Sequence, residues 1–459
     1  RELVADIYER MGYCGYLMCD MRLSAECYLK AAQNDVNLRK QVEHFSSFLF
    51  CLHYLSGISP EALVKNIAFY DSFFREEQFY SHDTAKKQGK NKLRIGYLSA
   101  DWQEHAVADF VLPFIRDYDG ERFEVFGYLL NEEDEYTHRI KAFGKNVAWK
   151  DLHNVSPAEC ARTIYEDSID ILVDLGGHSH GGLGLMILAY KPAPIQLSGL
   201  GWINTTGLSS VDYFITDGIS CNTSTENALF TEMPLIMEGS HLCYAPIDEE
   251  KFIFSTPAKR RYNKQDIVYG VFSNFNKITD EVLMLWDNIL DKNKGGCLVL
   301  KDTTAEAARQ AALRNRMAEL ALKNIDRMLV EGASRDYLDC YRDVDIVLDT
   351  FPYTGGATVC EALYMGRPVI AMKGDNHGRR FSSNILYYAG FKEFIAKDKD
   401  EYAQKAVSYG KDMAYLQQLH GKIRNTFCTS RLMDGHGYMA GLEKKYFEIW
   451  DRYQKTNNI

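Results

Sequence analysis

The residues Asp345 to Gly374, DIVLDTFPYTGGATVCEALYMGRPVIAMKG, are ordered as a strand, a glycine-rich turn, a helix and a second strand. Asp345 to Leu348 is a short apolar run suited to a parallel strand covered on both faces. Pro352 to Gly356 breaks it as a turn, and Thr358 to Met365 has helical spacing. Such a turn presents bare backbone N–H groups at a helix N-terminus, where the macrodipole favours an anion. Ligands of open α/β sheets bind at the carboxyl ends of strands, which is where this loop lies. A plainer reading has Gly355-Gly356 only turning the chain and Thr358 to Glu361 forming a capping box. Both can hold, with Thr358 capping the helix while Glu361, one turn in, faces a ribose hydroxyl.

Other loops carry compatible groups. Ser273 to Thr279 follows a strand and precedes a predicted helix from Asp280 to Leu290, so Lys277 stands at a strand's carboxyl end. A compact ammonium there suits a diphosphate and would offset charge growing on a leaving phosphate; the alternative is an exposed first-turn lysine. His105, in Ser99 to His105 after another strand, has the ordinary pKa of a general acid or base, although a lone histidine at such a place is more often structural. Asp174 to Gly182 sets His178 and His180 two residues apart among glycines. No third ligand has metal-site spacing, so a backbone loop lining a sugar pocket is preferred to a metal. In the DxD Asp343-Val344-Asp345, the second aspartate runs into the apolar strand, which favours a strand edge. Arg379 and Arg380 follow a strand and either reach a ligand or are solvated. No serine-hydrolase elbow or Walker A loop is present.

The elements that must position these groups alternate β and α from Leu93 onward, which implies parallel sheets with helices on both faces. Strands are predicted at Leu93–Ser99, Phe123–Tyr128 and Ile169–Val173, then at Ile267–Phe272, Cys297–Leu300 and Arg327–Val330. The first 80 or so residues are helical in pattern. Tyr8, Met11, Gly12, Ser24, Tyr28 and Ala31 partly match one tetratricopeptide repeat, a helix–turn–helix of about 34 residues, and a single repeat cannot stand alone. His82 to Lys92 is polar and reads as a linker, and Tyr438 to Tyr453 as an amphipathic helix. The expected division is a helical lead-in, 1–88, and two Rossmann-like lobes, 89–255 and 256–459, facing a cleft.

With 459 residues, a formal charge of −10 and no basic block, the chain is a multi-domain globular protein poorly suited to nucleic acid or an anionic membrane. No apolar run is long enough to span a bilayer. Eleven scattered cysteines without CxxC spacing point to reduced thiols and a cytoplasmic setting. The chain starts at Arg1, which suits a piece of a longer one.

Five ordered signatures carry a likeness: LRIGYLSADWQEH, DILVDLGGHSHG, KPAPIQLSGLGWINTTGLSSVDYFITD, FSNFNKIT and LDTFPYTGGATVCEALYMGRPV. From Leu93 to Tyr453 the chain resembles the catalytic region of O-linked N-acetylglucosamine transferases, including bacterial homologues and plant SPINDLY-type enzymes. The resemblance implies a metal-independent GT-B fold with two Rossmann-like lobes, tetratricopeptide repeats in front and no cofactor. It implies a nucleotide-sugar donor, UDP-GlcNAc foremost, and a protein or peptide acceptor.

Residue by residue, Lys277 matches the lysine on the donor diphosphate, and Asn274 a glutamine or asparagine contacting the phosphate region. Thr358, preceded by Gly355, Gly356 and Ala357, matches a threonine beside the phosphates, and Glu361 an aspartate near the ribose. His105 matches the histidine discussed as catalytic base. Asp101, Gly177, His178, Thr205, Thr206 and Arg380 are candidates for a sugar or acceptor pocket. The likeness has departures. Gly356-Ala357-Thr358 stands where animal enzymes have His-Thr-Thr, and Ser334 and Tyr337 replace a lysine and a histidine near the base. Gly201 to Ser209 looks most like the SPINDLY-type version, whose relatives transfer fucose from GDP. A GDP-fucose transferase, an asparagine glucosyltransferase and an inactive scaffold are the rivals. The helical lead-in is the candidate surface for self-association or a partner.

Overall fold

A computed structural model describes residues 2–75, 77–82, 92–221, 226, 228–254, 266–334 and 336–456. The predicted linker lies outside them except at its two ends, as do the expected boundaries at 88/89 and 255/256.

Two all-parallel sheets carry the molecule. The first contains β1 (Leu93–Ser99), β2 (Phe123–Leu129), β3 (Ala148–Asp151), β4 (Ile171–Asp174), β5 (Ile195–Ser198), β6 (Tyr213–Asp217) and β7 (Met233–Met237), in the order 3-2-1-4-5-6-7. The second contains β8 (Val268–Phe272), β9 (Cys297–Lys301), β10 (Met328–Glu331), β11 (Ile346–Leu348), β12 (Val369–Met372) and β13 (Ile395–Ala396), in the order 10-9-8-11-12-13. Each begins 3-2-1-4-5-6 in its own count, so each has a switch point where the strand order reverses, between β1 and β4 and between β8 and β11. The strands there are mostly apolar and buried, as helices on both faces require. Two Rossmann-like lobes preceded by helices are therefore the observed architecture, as the sequence implied.

The lead-in comprises α1 (Glu2–Leu17), α2 (Met21–Asn34), α3 (Leu38–Leu52) and α4 (Pro60–Ile67), followed by a 3-10 turn over Ala68–Phe74. In the α1–α2 hairpin the Tyr28 ring lies 3.2 Å from where a Cβ on Gly12 would be, and Ser24 Oγ donates to Gly12 O at 2.7 Å. These are residues singled out for the repeat. The lead-in sits on the loops that follow β4 and β5. Ser209 N–H donates to Asp71 Oδ1 at 2.8 Å, and His53 and Phe50 pack on Trp202 with ring centroids at 5.0 and 5.7 Å. Gly207 has φ +71°, and a Cβ there would stand 2.3 Å from Ile67 O, so only glycine permits this approach.

Two elements depart from expectation. The helix α7 (Ala357–Tyr364; α5 is Ala108–Arg116 and α6 Asp280–Lys292) starts after Gly356 and has no side-chain cap. Thr358 lies inside its first turn, so the capping box does not form; the chain enters the helix two residues earlier than that reading needed. The last helix, α8 (Gly435–Thr456), was counted by its place in the chain with the second lobe, yet it packs on the first. Its Tyr438 stacks on Phe114 of α5 at 5.8 Å, Phe447 packs on Phe123 at 5.1 Å, and the Tyr446 and Tyr97 hydroxyls are 3.2 Å apart. Sequence periodicity shows an amphipathic face but not which surface it covers.

Replacing Gly207 by Ala should cost about 1–3 kcal/mol, lower the thermal midpoint and make the lead-in the first segment released by limited proteolysis. Gly218→Ala, whose Cβ would meet nothing within 4 Å, should behave as the parent.

Candidate active site

A cavity of about 1360 Å³ opens between the lobes at the carboxyl ends of the switch-point strands. His105 and Asp101 line it from the loop after β1, Lys277 from the loop after β8, Thr358 and Glu361 from α7, and Tyr54 from the lead-in.

On the second lobe, Lys277 ends a 3-10 turn capped by the Asn274 side chain, which accepts from Asn276 N–H at 3.0 Å. The Lys277 ammonium donates to Thr354 O at 3.0 Å and lies 4.1 Å from the centre of the Tyr353 ring. No carboxylate forms a salt bridge with it among the described residues. Burial pulls its pKa down to about 8, partly offset by the nearby Asp349 carboxylate. Asp349 lies under the loop, and burial lifts it to about 6 against the Gly355 N–H that it accepts at 2.9 Å. Gly356, Ala357 and Thr358 face the cavity; Gly355 lies behind them, with its carbonyl accepting from Ser382 Oγ at 2.9 Å. The uncapped first turn of α7 leaves backbone N–H groups for an anion or water.

Glu361 is 5% exposed on the inner face of α7. The Tyr337 hydroxyl donates to one of its oxygens, and the Tyr341 hydroxyl lies 3.4 Å from the other. Burial raises its pKa to about 7 despite those bonds and the Lys251 charge. Tyr337 lines the cavity beside it, whereas Ser334 lies behind, its hydroxyl buried without a hydrogen-bond partner among the described residues.

On the first lobe, Asp101 is 1% exposed and receives two histidines on one oxygen, His105 Nδ1 at 3.2 Å and His180 Nε2 at 2.7 Å. The same His105 Nδ1 accepts from Val107 N–H at 3.3 Å, so Asp101, drawing a proton to that nitrogen, and Val107, requiring its lone pair, pull the ring toward opposite tautomers. Desolvation pulls the His105 pKa below its ordinary value and His180 adds to this, while Asp101 opposes it. The hydrogen bond to Asp101 raises that of His180. His180 holds φ +48°, a strained conformation for a non-glycine residue.

Five candidates for the sugar or acceptor pocket do not line the cavity. His178 is buried with both ring nitrogens occupied, by Ser46 Oγ at 3.0 Å and Thr206 O at 2.8 Å, and burial lowers its pKa to about 3. It fastens the lead-in. Gly177, at φ +55°, backs onto Trp202. Thr205 and Thr206 bond the buried Glu232 carboxylate. Arg380 is consumed by Gly374 O, Ser220 O and Glu226. Spacing alone could not tell a loop that faces the cleft from one that faces the lead-in. Asp345 spends its carboxylate on Val268 N–H at 2.9 Å, which is the strand-edge role. Sequence reasoning missed Tyr353 and Asp349, although both lie in the loop it began from. It also missed Tyr54 and the Lys251–Asp109 pair, 2.9 Å apart at the cavity wall, for which no local signal exists.

The model of glycosyl transferase family 41 matches residues 40–242 and 245–442. The probable UDP-N-acetylglucosamine–peptide N-acetylglucosaminyltransferase SPINDLY of Arabidopsis thaliana is 33% identical over 82% of this chain and 41% of its own length. The SPINDLY protein of Hordeum vulgare is 34% identical over 82% of this chain and 40% of its own. This chain therefore spans about two-fifths of the length of these relatives. Among solved structures, a variant of the Thermobaculum terrenum O-GlcNAc transferase superposes with a TM-score of 0.86 at 27% identity, covering 99% of this chain and 85% of that one. On the family match across both lobes, the agreement with the SPINDLY proteins and that superposition, the chain belongs to glycosyl transferase family 41.

Proposed function

We propose that this protein transfers N-acetylglucosamine from UDP-N-acetylglucosamine to a Ser or Thr hydroxyl of a protein acceptor, without a metal ion. The observation that carries this is one cavity holding an ammonium that forms no salt bridge among the described residues, a helix N-terminus without a side-chain cap and a buried carboxyl on one lobe, with a histidine beside Asp101 on the other. The first set suits a nucleoside diphosphate: Lys277 and the α7 N–H groups for the phosphates, Glu361 for the ribose. The second suits a base. As the acceptor oxygen bonds to the anomeric carbon, its proton passes to the His105 imidazole. The carbon–oxygen bond to the diphosphate breaks, and Lys277 offsets the charge left on the leaving phosphate. The SPINDLY relatives, named as UDP-N-acetylglucosamine–peptide N-acetylglucosaminyltransferases, support the UDP-GlcNAc donor. A reducing cytoplasm suits eleven free thiols.

A second donor, GDP-fucose, is favoured by the segment Gly201–Ser209, which looks most like the SPINDLY-type version. Calorimetry with UDP, GDP and their sugar conjugates separates the two donors. Lys277→Ala should bind the preferred diphosphate at least tenfold more weakly, and undiminished binding and turnover in a folded Lys277→Ala protein removes the assignment. Because free Lys277 loses its charge above about pH 8, binding at pH 9 should take up a proton, an uptake absent from the variant.

The parent rate should fall on the acid side as His105 protonates, at a pH below that of an ordinary histidine. An unchanged rate and acid limb in His105→Ala would exclude it as base. Folded Glu361 keeps its proton to about pH 7, whereas an unfolded glutamate loses it near 4.5, so the folded state binds more protons between them. Stability from this group is full below pH 4.5 and is lost as pH rises through 7. Glu361→Gln should thus gain on the order of 1–3 kcal/mol over the parent between pH 5 and 8, read as a widening gap in thermal midpoint, while donor affinity falls.

A further inference from the structure

Three aromatic residues of the lead-in reach the donor side of the cleft, where only second-lobe residues were expected. Phe50 and Tyr54 line the cavity and pack on Tyr353, with centroids at 6.3 and 4.8 Å. Tyr353 in turn offers its face to the Lys277 ammonium at 4.1 Å. Its ring therefore has helix-borne aromatics on one side and a cation against its π-face. Tyr353 sits in a turn between β11 and α7, and Tyr54, 6% exposed, restricts where that ring can swing.

The second contact is at α1. Asn274 Nδ2 donates to the Tyr16 hydroxyl at 3.1 Å, while Asn274 Oδ1 accepts from Arg309 Nη2 at 2.6 Å. Arg309 Nη1 donates to Tyr16 O at 3.1 Å, and Arg309 is held by Asp302 at 2.8 Å with both side chains fully buried. The Asn274 amide is thus oriented from both ends, by the second lobe through Arg309 and by the lead-in through Tyr16.

We propose that the helical lead-in is part of the donor site, and that Tyr54, acting through Tyr353 on Lys277, and Tyr16, acting on Asn274, are positioning residues for the nucleotide sugar. This rests on the donor assignment above. Neither tyrosine takes part in the reaction; each removes freedom from a polar group that must already point at the phosphates when the donor arrives. Lys277, which forms no salt bridge among the described residues, depends on such packing more than an ion-paired lysine would.

The test uses the full chain and its preferred diphosphate, UDP or GDP, in calorimetry, together with steady-state kinetics on the sugar conjugate. Tyr16→Phe deletes only the hydroxyl that meets Asn274, and Tyr54→Leu removes the ring behind Tyr353 while keeping an apolar side chain. Each should weaken diphosphate binding roughly 3- to 10-fold and raise the donor KM by a similar factor, leaving the acceptor KM unchanged. Tyr54→Phe should restore parental values, because the ring face and not the hydroxyl does the packing.

Diphosphate affinity equal to the parent in both folded variants, with Lys277→Ala still losing binding, overturns the proposal and leaves the donor site standing. A parent that binds no diphosphate overturns both. Equal losses in donor and acceptor KM, or no rescue by Tyr54→Phe, would make the effect a general loosening of the cleft and also overturn it.

Discussion

The charge around which the cleft is organised is the ammonium of Lys277. Removing an ammonium from water is costly unless something replaces its hydration, and no carboxylate pairs with it among the described residues. It has one carbonyl, one aromatic face and an aspartate close enough to be felt. Each partner comes from the β11–α7 loop, so the loop's shape follows from the lysine's needs. Asp349 pulls in the Gly355 N–H, Thr354 turns its carbonyl toward the ammonium, and Tyr353 folds over it. The site is left with unmet positive potential beside a helix N-terminus, an environment that suits an anion.

Both lobes solve the placement problem in the same way. A parallel sheet leaves a crevice where strand order reverses, and loops at the carboxyl ends border it. The β1 loop of one lobe and the β8 and β11 loops of the other meet across one cavity. A network at the junction sets their relation. Asn384 Nδ2 donates to both oxygens of Asp217 at 2.9 and 2.7 Å, and His377 Nδ1 lies 3.2 Å from Ile203 O. With all of these groups buried, rotating one lobe against the other would leave several polar atoms unpaired, each a cost of about 1–3 kcal/mol.

Much of this was legible in advance, for identifiable reasons. Strands buried on both faces declare themselves as apolar runs, so β1, β8 and β11 and the loops after them were readable, and with them His105, Lys277 and Glu361. The failures share a cause. His178, Thr205 and Thr206 sit in glycine-rich loops after strands, as true cleft residues do, but their loops turn toward the lead-in. Which neighbour a loop meets depends on helices more than 100 residues earlier in the chain, and no local pattern records that. Tyr353 was passed over because a tyrosine in a turn says nothing about a cation until the lysine from another loop stands above it.

The same blindness made the lead-in look like an appendage. Its core is not its own: Phe45, Leu49, Leu63 and Ile67 belong to one apolar cluster with Leu98, Leu172, Leu185 and Leu208 of the first lobe. A lone helical hairpin buries too little surface to fold by itself, and these helices obtain the rest by packing on the loops at the carboxyl end of the first sheet. That docking fixes the end of α3, and the end of α3 carries Tyr54 into the cleft. Any helical repeats stacked on α1 would therefore act on a helix whose last turn already touches Asn274, giving them a short mechanical path to the second-lobe wall of the cavity that needs no movement of the lobes.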